Sequence, residues 1–245
     1  MSQAIAHMFD AMDTRRHLPK YKLEARLAPF FELYLHDVLS ECLGIELDPV
    51  VIPEFPLRKG TLYQDEKIEE PNQSKNVDYV AFSMDRKTAF LVELKTDMSS
   101  KSADQESHLR DACGMGLAPL VDGIFEICRS KDCNRRKYVH LLHLLDKLEL
   151  VTISDPGKLN EMTFYPQPKP YWTTKALELV KPAFEGKLKH TRVIYIQPRE
   201  SDPKPGFEYI YFEDVADIVQ RYGELGRVFA KSLRGWTEDP GLSAP

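Results

Sequence analysis

Two runs rich in Val, Phe, Tyr and Thr, Asn76 to Ser83 and Thr88 to Lys95, flank the polar tetrapeptide Met84-Asp85-Arg86-Lys87. Such residues suit a pleated, half-buried surface, and a short polar break between two such runs reads as a hairpin. A two-residue turn at Asp85-Arg86 and a four-residue loop over Met84 to Lys87 give the same register. Ser83 then faces Thr88, Phe82 faces Ala89, Val80 faces Leu91 and Asp78 faces Glu93, with opposed Cβ atoms roughly 4.5–5.5 Å apart. Side chains alternate between the two faces of a strand. One face therefore carries Val77, Tyr79, Ala81, Phe90, Val92 and Leu94 and is wholly core. The other is apolar near the turn but polar at its open end, where Asn76, Asp78, Glu93 and Lys95 converge. Two opposed carboxylates on a mostly buried sheet repel each other and are costly to desolvate. A divalent cation between them is the simplest way to offset that cost. The competing reading is an exposed Glu–Lys pair at a sheet edge.

A chain of 245 residues can bury a sizeable core, and 29% charged residues is ordinary for a globular protein. No apolar run approaches the ~20 residues that span a bilayer, so no membrane partner is expected. The N-terminus lacks the basic-then-apolar order of a secretory signal. The four cysteines, without a CxxC pair, suit reduced thiols and a cytoplasmic protein. A net charge of −5 exerts no global pull on nucleic acid, so any such binding relies on local basic patches. Arg129 to Lys137 and Lys187 to Arg192 are the two candidates. No HExxH pair, glycine-rich phosphate loop or nucleophile elbow is present.

Along the chain, residues 1–18 carry no clear core pattern and read as an arm or a short helix. Pro19 to Gly44 is helical in pattern, with Gly44 as its C-cap, and Pro29 is expected to kink or divide it. Val50 to Arg58, broken by Pro53 and Pro56, reads as an edge or bulged strand. Gly60 to Lys75 reads as a long acidic loop. After the hairpin, Ser102 and Gln105 match a capping box, and helical runs follow to Cys128 and from Tyr138 to Leu150. Residues 154–172 read as a connector, with a short strand at Met162 to Tyr165. Lys175 to Phe184 reads as helix, Val193 to Ile196 and Phe207 to Phe212 as strands, and Val215 to Tyr222 and Gly226 to Leu233 as closing helices. The end from Asp239 reads as frayed. This order predicts an α/β fold, a mixed central sheet flanked by helices.

Asp78, fourteen intervening residues and then Glu93-Leu94-Lys95 resemble the PD-(D/E)XK nuclease superfamily, with Val77 standing where the family name has proline. The wider stretches QSKNVDY and VELKTDMS look like bacterial members of that superfamily without assigned function. The resemblance implies a restriction-endonuclease-like core over about residues 19–116, completed by a strand near 192–197. It further implies a single nuclease-like domain over 1–245, with an arm at 1–18, a helical insertion and connector at 129–175, and C-terminal additions.

On that resemblance Asp78, Glu93 and the Leu94 carbonyl would hold Mg²⁺, with Mn²⁺ as its substitute, because a hard cation prefers oxygen ligands. Lys95 would orient or help deprotonate the attacking water and stabilise developing charge. Family members often add a first-helix glutamate. Glu32 is the first choice and Glu24 fits nearly as well, each against the alternative of a solvated helix face. Gln105 stands at a common auxiliary position, or merely caps its helix. The implied activity is Mg²⁺-dependent hydrolysis of nucleic acid, DNA rather than RNA. Cutting both strands often calls for two active sites, which makes a homodimer a candidate assembly. The alternative is a non-catalytic protein that binds nucleic acid or protein and retains the fold.

Overall fold

The computed structural model of the chain describes residues 2–63, 68–96, 103–130, 135–164, 175–199 and 203–238. The elements run α1 (Ser2–Arg15), α2 (Leu23–Leu43), β1 (Ile52–Arg58), α3 (Lys59–Leu62), β2 (Ser74–Phe82), β3 (Thr88–Leu94), α4 (Ala103–Met115), α5 (Leu117–Arg129) and α6 (Arg135–Lys147). They continue with β4 (Val151–Ile153), α7 (Pro156–Phe164), β5 (Val180–Pro182), β6 (His190–Gln197), β7 (Glu208–Tyr211), α8 (Phe212–Val219) and α9 (Gly223–Glu238). Five strands form one sheet in the order β1-β2-β3-β6-β7, and β4 pairs with β5 in a second, two-stranded sheet. β1 and β2 are antiparallel and β6 and β7 parallel, so the larger sheet is mixed. The α/β class with a helix-flanked mixed sheet is thus observed. No described helix is long and apolar enough to cross a membrane.

The hairpin closes as its residues dictate. The Ser83 N–H donates to the Thr88 carbonyl at 2.9 Å across the loop Met84 to Lys87. Phe82, Ala89, Phe90, Leu91 and Val92 are wholly buried, so both faces of these strands are covered there. β1 lies at the sheet's edge, where its two prolines need donate nothing.

The chain divides into two compact units, one of Met1–Leu47, Val92–Ala103 and Val193–Pro245, the other of Asp48–Leu91 and Asp104–Arg192. In the first, Phe9, Phe31 and Phe229 cluster, with Phe31 edge-on to Phe229 at 5.2 Å, and Trp236 donates its indole N–H to Asp13 of α1. In the second, α5 packs on β1 and α3. Gly123 of α5 permits this approach, since a Cβ there would lie 2.7 Å from Thr61 Oγ1.

Several sequence expectations need correction. Pro29 does not divide α2, which runs unbroken from Leu23 to Leu43. Both Pro29 and Ala25, whose carbonyl loses its partner, are exposed, so water can replace the missing bond. Of the two readings of residues 1–18, the helix is the one observed, over Ser2–Arg15, and its buried Phe9 and Met12 supply the core pattern that was not recognised. The supposed strand at Met162 is the end of α7, which opens with Pro156 after Asp155, whose carboxylate accepts from the Lys158 N–H at 2.9 Å. Lys175 to Phe184 is not one helix, because Val180 to Pro182 pairs with Val151 to Ile153 as a strand. The loop after β1 begins with the short helix α3. Arg135, Arg136 and Lys137 form the first turn of α6 rather than a loop. The Ser102 cap and the end from Asp239 lie outside the described residues.

Candidate functional site

Glu93 lies near the end of β3 and Lys95 one residue beyond it, so a period of two aims both side chains the same way. The Lys95 ammonium donates to Glu93 Oε1 at 2.8 Å, with the two side chains 5% and 2% exposed. Stripping water from two charges costs several kcal/mol per ion, and their attraction repays this only in good geometry with further hydrogen bonds. A sheet does not require such a pair. Leucine and methionine would fill the same space.

Backbone hydrogen bonds place this pair beside β6. The Lys95 N–H donates to the Ile196 carbonyl at 2.9 Å, and the His190 N–H donates to the Lys87 carbonyl at 3.0 Å. The bonded positions advance together along both chains, which is the parallel pattern. In a parallel ladder a residue donating to the carbonyl of one position lies beside the next. Lys95 is therefore beside Gln197, and Glu93 beside Tyr195. The Arg192 guanidinium over the Phe90 ring, at 5.2 Å, agrees with that register. β7 continues it, with Tyr195 opposite Tyr209 and Gln197 opposite Tyr211.

One face thus presents two rungs, Glu93–Tyr195–Tyr209 and Lys95–Gln197–Tyr211. The rings of Tyr195 and Tyr209 stack at 5.9 Å, and those of Tyr209 and Tyr211 at 6.4 Å. Phe207 meets Tyr195 edge-on at 5.4 Å. Tyr195 and Gln197 are buried with the ion pair, whereas Tyr209 and Tyr211 are half-buried. Sequence reasoning missed Tyr195 and Gln197 because it read Val193 to Ile196 only as an apolar run. The signal was there: Ile194 and Ile196 alternate with Tyr195 and Gln197.

The two α2 glutamates are not equivalent. Glu32 is exposed beside Leu33, which is 60% exposed, while Phe31, Tyr34 and Leu35 make the buried stripe. Glu24, half-buried in the first helical turn, stands seven residues before Phe31 and so on the inward side.

Asp78 is half-buried on β2. Nearby on that strand the Ser74 hydroxyl donates to Asn76 Oδ1 at 3.1 Å, and Asn76 Nδ2 donates to Glu54 Oε2 of β1 at 3.2 Å. The β1–β2 register, with Pro53 at Tyr79 and Phe55 at Val77, sets Glu54 across from Asp78. Glu54 has φ +50°, a left-handed backbone that a glutamate adopts at a cost. Gln105 is half-buried in the first turn of α4. Further along α4, His108 meets the Tyr63 ring edge-on at 5.3 Å, and burial lowers its pKa.

The two basic clusters are unevenly engaged. Arg129 pairs with Glu126, Lys187 binds the carbonyl and carboxylate of Glu149, and Arg192 lies on Phe90. Arg136, Lys137, Lys189 and His190 are exposed, and Lys131 lies outside the described residues.

Among the described residues no three His, Cys, Asp or Glu side chains come together as a metal cage. The donors of Asp78, Glu93 and Leu94 are all oxygens, which fits a Mg²⁺ that keeps most of its waters and takes one or two carboxylates. No family model, curated protein or solved structure matches the chain.

Proposed function

We propose that the chain is a metal-dependent nuclease acting on DNA, built on a restriction-endonuclease-like core. The observation that carries the reading is the buried Lys95–Glu93 pair at the end of a central strand. Asp78, Glu93 and the Leu94 carbonyl would hold Mg²⁺ or Mn²⁺, with Glu24 favoured over Glu32 as the helix-borne carboxylate. When bound, the metal lowers the pKa of a coordinated water and offsets charge on the phosphate oxygens. Glu93 keeps the Lys95 ammonium at a fixed point. Lys95 in turn orients the water attacking phosphorus and stabilises negative charge building on the phosphate. Gln105 is a further polar group for the scissile phosphate or its water, and the exposed Arg136, Lys137 and Lys189 suit phosphate contacts.

The test is cleavage of linear, nicked and supercoiled DNA, with RNA alongside, in Mg²⁺ or Mn²⁺. Hydrolysis that a chelator stops supports the reading, and clean protein that cuts none of these in either metal overturns it. One observation favours a second reading, a non-catalytic nucleic-acid- or protein-binding protein on the same fold: side chains 5% and 2% exposed offer a phosphate little room. That reading expects binding without turnover and no Mn²⁺ affinity dependent on Asp78.

A further inference from the structure

The thirteen residues of α6 hold four Lys or Arg against one Asp, in a chain whose net charge is −5. Val139, Leu142 and Leu145 are buried and fix which side of the helix packs inward. At 3.6 residues per turn, Arg136, His140, His143 and Lys147 then fall within an arc of about 60° on the outward side, flanked by Lys137. Arg136, Lys137, His140 and Lys147 are exposed and His143 is half-buried. Among the described residues, Arg136, Lys137 and Lys147 pair with no carboxylate. The single acid of the helix, Asp146, is engaged elsewhere, its Oδ1 accepting from the Ile153 N–H at 2.9 Å. His143 meets Asn160 Oδ1 of α7 at 2.8 Å, so a neutral amide stands beside the ridge there. α7 adds Lys158 and Glu161, one charge of each sign.

We propose that this ridge of α6 is the surface on which the backbone of duplex DNA lies. From Arg136 to Lys147 the helix rises about 16 Å, the axial length of about five base pairs. A row of cations over that length faces successive phosphates and releases the counterions condensed on them. Such contacts position the duplex without reading its bases, so the ridge is blind to sequence. Its four positions include no apolar side chain. They therefore lack the aromatic or aliphatic anchor on which a protein partner's affinity rests, and the apolar face with which a helix enters a lipid surface. The choice of DNA as occupant rests on the nuclease reading. The placement of the charge does not.

The test measures binding of the full chain to a fluorescently labelled duplex of arbitrary sequence, in chelator so that nothing is cut, over a series of salt concentrations. Arg136→Gln, Lys137→Gln and Lys147→Gln should each flatten the slope of log affinity against log salt by about 0.9, and the triple variant by about three times as much. Arg136→Lys, which keeps the charge, should keep the slope. Glutamine is as good a helix former as the residues it replaces, so α6 is retained, and an unchanged thermal midpoint confirms it. Lys231→Gln, at an exposed lysine of α9, controls for net charge alone. A triple variant with the wild-type slope overturns the proposal, and so does a Lys231→Gln slope reduced as much as those of the single ridge variants. A wild type that leaves the duplex unbound, whether or not it binds phosphatidylserine vesicles, overturns it too. A ridge-dependent slope in a protein that cuts nothing once metal is restored defeats the nuclease reading alone. Cleavage with a slope indifferent to the ridge defeats this inference alone.

Discussion

Two ionic arrangements occur along one hairpin, and they answer to different physics. At the tip, Arg86 adopts φ +54° and donates through Nη2 to Asp48 Oδ2 at 2.9 Å, while Glu149 lies 3.7 Å from its Nη1. Asp48 Oδ1 accepts from the Val50 N–H, the Asp48 N–H donates to the Phe82 carbonyl, and the Arg86 carbonyl accepts from Leu188. Every contact there pins a turn. The charges grade from a 6% exposed Asp48 to a 65% exposed Glu149, so water shares the solvation. At the end of β3, Glu93 and Lys95, one residue past the strand, are both nearly sealed, and the Lys95 backbone is already held by its bond to the Ile196 carbonyl. The tip is explained by architecture. The Glu93–Lys95 contact pins no turn, and that is what supports the proposed nuclease reading.

Breaking the two arrangements should separate them. The largest effect is expected from Asp78→Asn. It removes a proposed metal ligand while the half-buried side chain keeps its shape, so cleavage should fall by more than about 100-fold with the thermal midpoint nearly unchanged. Cleavage at the wild-type rate would remove Asp78 from the site. Next come Glu93→Ala and Lys95→Ala, each leaving an uncompensated buried charge and expected to cost about 3–5 kcal/mol in urea unfolding. Loss of activity in these variants alone therefore says little about catalysis.

At the tip, Asp48→Ala removes the acceptor for Val50 and Arg86. It should cost about 1–3 kcal/mol and leave cleavage intact, as denaturant curves and a nuclease assay would show. The smallest effect is at Glu149, whose carboxyl pKa is lowered chiefly by its Lys187 hydrogen bond and then by Arg86. A folded pKa below the unfolded one adds stability that is present above the unfolded value and lost as pH falls through the folded value. Glu149→Gln should thus narrow slightly the gap in melting temperature between neutral and acid pH. An unchanged gap would mean the exposed pair contributes nothing measurable.

What the sequence made legible follows from the range of each interaction. Period-two alternation exposed the hairpin and its loop, because strand burial acts residue by residue on Val77 to Phe82 and Phe90 to Leu94. The C-cap of α2 was equally local, Gly44 at φ +64° with its N–H on the Ser40 carbonyl. The β4–β5 pairing was not legible. Val180-Lys181-Pro182 is three residues long, and only the distant Val151-Thr152-Ile153 makes it a strand. Nor could Pro29 be judged alone, since its cost depends on whether the orphaned carbonyl meets water. In the site, Glu93 and Lys95 announced themselves by spacing. Gln197 stayed hidden because its place beside Lys95 depends on a ladder between strands about a hundred residues apart, beyond any local pattern.

The central claim is that the buried pair is kept for function rather than for stability. It is tested most directly by a double-mutant cycle on Glu93→Gln and Lys95→Met, read as unfolding free energy in urea, with folding of each variant confirmed. The expected result is strong coupling. Each single change should be markedly destabilising, while the double variant, with no charge left to bury, should unfold within about 1 kcal/mol of wild type or above it. A double variant about as unstable as either single would contradict the account and make the pair a structural bond, since the loss of one contact would then be the whole effect.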